Sequence, residues 1–157
     1  MRRVFRWIFV LVCFGFIAIQ FVRPEKNLSP GPLPPEDLRT LHPIPEPVRK
    51  RLEVGCYDCH SNHTRYPWYS QVQPFAWWLD QHVRDGKREL NLSTFGRYPA
   101  KRQVDKLESI IDVLNDRSMP LRSYTWTHRD AIFTDEESKE IVAWAEALRD
   151  KLEEDLE

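Results

Sequence analysis

Alternation of apolar and polar residues at a period of two, the mark of a half-buried strand, is missing from the whole of this 157-residue chain. That leaves helices to build the core and makes an all-α fold the expectation. A charge bias is also missing, since 23 Lys and Arg face 24 Asp and Glu, which gives no signal for a nucleic-acid partner. Cysteine is scarce: there are three, and only Cys56 and Cys59 lie outside an N-terminal apolar run. No second Cys-x-x-Cys pair accompanies them, as a zinc site built from two such pairs would require. No βαβ pattern surrounds them either, as a thioredoxin-like dithiol would have. No constellation of side chains stands out as catalytic machinery.

What is present begins with "MRRVFRWIFVLVCFGFIAIQFVR". Arg2, Arg3 and Arg6 precede an apolar run from Trp7 to Val22 that only Gln20 interrupts. Basic residues ahead of such a run keep the N-terminus in the cytoplasm, so the reading is an export signal with everything after Arg23 outside the membrane. The run is shorter than the about 20 residues of a full span, yet no small-x-small pair follows it for a signal peptidase. Residues 1–23 are therefore expected to form an uncleaved transmembrane anchor.

Eight of the twelve prolines fall between Pro24 and Pro47, and each fixes φ and removes a backbone donor. Residues 24–43 read as a Pro-rich linker, and the stretch Pro24–Pro47 could reach roughly 70 Å if fully polyproline II. The alternative is that Leu38 to Ile44 packs on the domain as an extended arm.

Residues 44–157 carry helical periodicity. Val48, Leu52 and Cys56 share a face, and Gly55 loosens that helix just before the cysteines. A second helix is expected over Pro74–Arg84 and a third over Pro99–Asn115. The fourth starts with a capping box, Thr134 and Glu137, and carries Ile141, Trp144, Ala145, Leu148 and Leu152 on one stripe. Long structured loops lie around Ser61–Gln73 and Arg117–Phe133. Charge is uneven: Ile44–Phe133 holds fourteen basic and eleven acidic residues, net +3, whereas Thr134–Glu157 holds three and ten, net −7.

The most informative stretch is "CYDCH", Cys56–His60. Two thiols three residues apart on a turn lie on one side, where both add across the vinyl groups of one haem, and the next residue brings an imidazole to the iron. Covalent attachment takes place outside the cytoplasmic membrane, so the motif and the export signal agree. One haem c on Cys56 and Cys59 is the expected cofactor, with His60 as an iron ligand. For the second axial position the candidates are Met119, His128, His82, His42 and His63. Met119 is favoured, because Pro120 ends any helical continuation there and Ser118–Ser123 can loop across the open haem face. "YPWYS" and "QPFAWWL" supply Tyr66, Trp68, Tyr69, Phe75, Trp77 and Trp78 as candidates for the apolar shell that haem needs. Arg65, Arg84 and Arg88 are candidates for its propionates, and a backbone carbonyl near Pro67 or Pro74 for the second nitrogen of His60.

At "CYDCHSNHTRYPWYSQVQPFAWWL", "HVRDGKRELNLS" and "MPLRSYTWTH" the chain resembles the bacterial haem-binding domain family of c-type-cytochrome-like proteins, from about Leu41 to Leu152. The resemblance implies a small cytochrome c-like helical domain, haem on Cys56 and Cys59, His60 as proximal and Met119 as distal ligand. Such domains occur alongside cytochrome c peroxidase-type modules. Two functions follow as expectations. The first is an electron carrier rather than a catalyst, anchored in the inner membrane of a bacterium and facing the periplasm. It would exchange single electrons with redox partners such as other cytochromes. The second is a haem sensor or peroxidase-like enzyme with an open distal site, served by His82, His128 or an arginine.

Overall fold

The computed structural model describes Met1–Glu157 and is built from helices alone, without strands. In chain order these are α1 (Arg2–Ile19), α2 (Leu38–Leu41), α3 (Glu46–Gly55), α4 (Tyr57–His60), α5 (Phe75–Glu89), α6 (Ala100–Asn115), α7 (Arg122–Thr125) and α8 (Asp135–Glu154). Short 3₁₀ turns occupy Trp68–Gln71, Leu92–Arg97 and Arg129–Ala131. The four long helices after residue 44 fall in the stretches of helical periodicity, with α5 running past the expected end at Arg84 to Glu89. At the head of α8 the Glu137 amide donates to Thr134 Oγ1 (3.2 Å) and the Thr134 amide donates to Glu137 Oε2 (2.8 Å), closing the capping box.

The core lies where α6 and α8 pack together and α3 closes one side. Leu52, Phe95, Leu107 and Ile141 are fully buried there, and truncating one such leucine to alanine typically costs about 2–5 kcal/mol. Leu38 is also fully buried, so the core begins six residues before Ile44, in a short helix rather than an extended arm. Asp37 makes that possible: its carboxylate accepts from the Arg39 amide at the helix start and forms two 2.9 Å bonds to the Arg39 guanidinium. The Arg39 guanidinium in turn stacks 3.9 Å above the Tyr57 ring.

The segment before α2 is pinned as well. Asn27 donates through Nδ2 to the Ser61 carbonyl (2.8 Å) and to Thr64 Oγ1 (2.9 Å), and its carbonyl accepts from the Thr64 amide (3.0 Å). Lys87 donates to Asn27 Oδ1 at 2.7 Å, tying the same residue to α5.

No helix is long and apolar enough to cross a membrane, which corrects the expectation of a spanning anchor over residues 1–23. The reason is its composition and length. α1 spends its first turns on Arg2, Arg3 and Arg6 and ends at Ile19. From Trp7 to Ile19 the apolar part covers about 20 Å at about 1.5 Å per residue, against a hydrocarbon thickness of about 30 Å. Even so, none of its residues is buried, and its apolar side chains stand free of the domain.

Candidate functional site

Cys56 is the joint between two helices. Its amide donates to the Leu52 carbonyl (2.9 Å) and closes α3, while its own carbonyl accepts from Cys59 (3.2 Å) and His60 (2.9 Å) to open α4. With φ −122° and ψ −47° it leaves the helical path, and the axis turns there. Two glycines let neighbours press against this joint. A Cβ on Gly86 of α5 would stand 2.7 Å from the Cys59 carbonyl oxygen, and one on Gly55 would run into the Phe133 ring.

On one side of the joint lies a cavity of about 280 Å³. Leu52, Leu92, Ile110, Val113 and Leu114 wall it, and Cys56, His60 and Met119 also line it. Its polar lining comes from Glu89, Lys106 and Ser109. His60 Nδ1 sits 3.1 Å from the Leu90 carbonyl, which can only accept, so Nδ1 carries the proton and Nε2 keeps its lone pair. Burial holds this imidazole below its ordinary value, which keeps it neutral. Burial likewise pushes the Cys56 thiol up to about 12 and the Cys59 thiol up to about 11, so both are protonated at neutral pH.

Of the five candidates for a second axial ligand, Met119 alone shares this cavity with His60. The end of α6 delivers it: the Ser118 and Met119 amides both donate to the Val113 carbonyl (3.0 and 3.3 Å), folding the chain back after Arg117. His128 stacks on Tyr124 with ring centroids 4.1 Å apart, and its Nδ1 lies 3.2 Å from that residue's carbonyl. His82 bonds the Trp78 carbonyl (2.8 Å), and His42 packs edge-on against Phe95. Cys59 is half-buried against α5 and does not line the cavity, unlike Cys56.

Several supporting roles differ from expectation. The six aromatic residues between Tyr66 and Trp78 do not line the cavity, whose wall is aliphatic. The acceptor for His60 is Leu90, not a carbonyl near Pro67 or Pro74. Arg65, Arg84 and Arg88 are paired with Asp58, Asp80 and Asp85, and the cation at the cavity is Lys106.

Asp58, inside the five-residue motif, escaped the sequence reading. It is buried on the side opposite His60's bond and accepts from the Arg65 amide (3.1 Å), Arg65 Nε (3.1 Å) and Nη2 (3.0 Å), and the Tyr124 hydroxyl (2.7 Å). Its carbonyl accepts from Thr64 Oγ1 at 2.6 Å. Burial and this bond to Asp58 raise the Tyr124 hydroxyl well above the ordinary phenol range, so it remains a donor. No sequence signal separates Asp58 from a solvated carboxylate.

A family model described as a haem-binding domain matches residues 14–147, most of the chain. The chain belongs to the haem-binding domain family. No curated protein and no solved structure matches it significantly. The donor set of this haem-binding domain fits its cofactor, because an aliphatic cavity offers a neutral imidazole with a fixed tautomer and a thioether. Zinc fits poorly, since nowhere do three His, Cys, Asp or Glu side chains converge.

Proposed function

We propose that this haem-binding domain carries one haem c and passes single electrons in the periplasm of a bacterium, at the inner membrane. Cys56, which lines the cavity, and Cys59, one turn on and outside that lining, would hold the group as thioethers, by addition of each S–H across a vinyl double bond with no oxidant needed. His60 and Met119 would hold the iron. The observation that carries this reading is the sharing of one aliphatic cavity by His60, its Nδ1 committed to Leu90, and Met119. Bound haem supplies a one-electron couple whose potential a thioether ligand raises. Leu90 fixes the imidazole, the aliphatic wall would keep water from the group, and Lys106 and Ser109 would be the donors that the cavity lining offers its carboxylates.

The membrane role rests on α1, an exposed apolar helix behind three arginines. Being too short to span, it is read as a helix lying in the interface of the inner membrane on the same side as the domain, with other cytochromes or a cytochrome c peroxidase-type module as redox partners.

Protein made in a host with haem maturation machinery is expected to gain the mass of one haem and to give a pyridine haemochrome. Unchanged mass sinks the covalent assignment. The ferrous form is expected to resist carbon monoxide, whereas Met119→Ala binds it and loses the methionine-to-iron charge-transfer band. Rapid binding by the unaltered protein would instead favour a sensor or peroxidase with an open distal site.

A further inference from the structure

Four large rings stand in solvent away from the cavity. Trp68 is 82 % exposed, Phe75 53 %, Trp78 42 % and Trp77 38 %. They belong to the 3₁₀ turn Trp68–Gln71 and the first turn of α5. The chain leaving α1 is fastened between those two elements. The Gln73 amide donates to Gln20 Oε1 (2.9 Å), Gln73 Nε2 donates to the Val22 carbonyl (2.7 Å), and Arg23 donates to the Gln71 carbonyl. Gln73 is fully buried, and its Oε1 also accepts from the Trp77 amide (3.3 Å). An unpacked apolar helix and four exposed rings therefore meet at one corner of the domain.

Water is a poor solvent for such a surface. Tryptophan suits the boundary between lipid and water, where the ring enters the headgroup layer and the indole N–H stays solvated. We propose that this corner is a phospholipid-binding face. Trp68, Phe75, Trp77 and Trp78 enter the headgroup layer beside α1, so the domain lies against the bilayer instead of standing off it. Lys26, next along the chain, supplies a cation for anionic headgroups. The inference rests on the membrane reading of α1 and adds to it a defined contact and orientation.

The test is hydroxyl-radical footprinting of the full chain, in buffer and on phosphatidylethanolamine–phosphatidylglycerol vesicles, read by mass spectrometry. Oxidation of the four rings is expected to fall several-fold on vesicles, while exposed Ile132 and Leu156 keep their reactivity. Trp77→Ser/Trp78→Ser is expected to keep the helical circular dichroism and to lose protection at Trp68 and Phe75. Protein that floats with vesicles while its rings oxidise as in buffer overturns the face and leaves the tether standing. Protein that does not float overturns both. Rings that stay reactive on vesicles but are shielded by a soluble cytochrome overturn the lipid assignment in favour of a protein partner.

Discussion

The two sides of the Cys56–His60 turn are built on opposite rules. Toward the cavity, His60 uses one nitrogen for Leu90 and presents the other, and Met119 stands among aliphatic walls. Away from it, Asp58 is satisfied by Arg65, Tyr124 and a backbone amide, and Asp37 by Arg39 and Tyr57. One side keeps donor atoms available; the other uses up every polar atom it buries. The lesson is that a ligand-presenting turn is held rigid from behind, by charges whose only role is to have partners.

Asp58→Ala breaks the contrast most severely. It removes the acceptor of the half-exposed Arg65 guanidinium and leaves the Tyr124 hydroxyl only the Val54 carbonyl, and a loss of about 1.5–3 kcal/mol in urea denaturation is expected. Asp58→Asn, which keeps the shape, should lose less. Gly86→Ala comes next. Alanine is ordinarily the better helix residue, yet here its methyl meets the Cys59 backbone, so a net loss of about 1–3 kcal/mol is expected by the same measurement. A neutral or stabilising result would mean that α5 does not press on the turn.

A smaller effect concerns pH. Burial, and then Lys151, hold the half-buried His42 imidazole below its ordinary 6.5. As pH falls through about 6.5 the unfolded chain takes the proton first, so this position's stabilisation is complete above that pH and is lost below it, until the folded imidazole is also charged. His60 shares the direction, so the difference between the protein and His42→Gln isolates His42: urea midpoints should drop less for the variant between pH 7.5 and 5. Smallest is Glu108→Ala on the outer face, where Arg149 bridges α8 to α6 at 2.9 Å across solvent. It should cost no more than about 0.5 kcal/mol, vanishing in high salt.

The long helices were legible because their stripes and caps are local. Thr134 and Glu137 announce α8 four residues before its first buried side chain, and Val48, Leu52 and Cys56 do share a face. α2, α4 and α7 are each four residues long and owe their form to tertiary partners, which periodicity does not carry. The aromatic shell was misread for a similar reason. On α5 the inward side chains are Ala76, Leu79 and Val83, with Gly86 next on that face against the Cys59 backbone. An approach that close admits only small or aliphatic groups, and the rings of Phe75, Trp77 and Trp78 are turned out. That Met119 lines the cavity beside His60 agrees with its isolation next to Pro120 in the sequence. Asp58 was not, because burial of a carboxylate is decided by Arg65 and Tyr124 arriving from other parts of the fold.

Asn27 has one more consequence. Composition makes the proline stretch look like a leash, but with this residue bonded to Ser61, Thr64 and Lys87 there is almost no slack between α1 and the domain. The segment works as a bracket: it encodes a heading rather than a radius, and any partner of the proposed carrier would have to travel to a fixed berth.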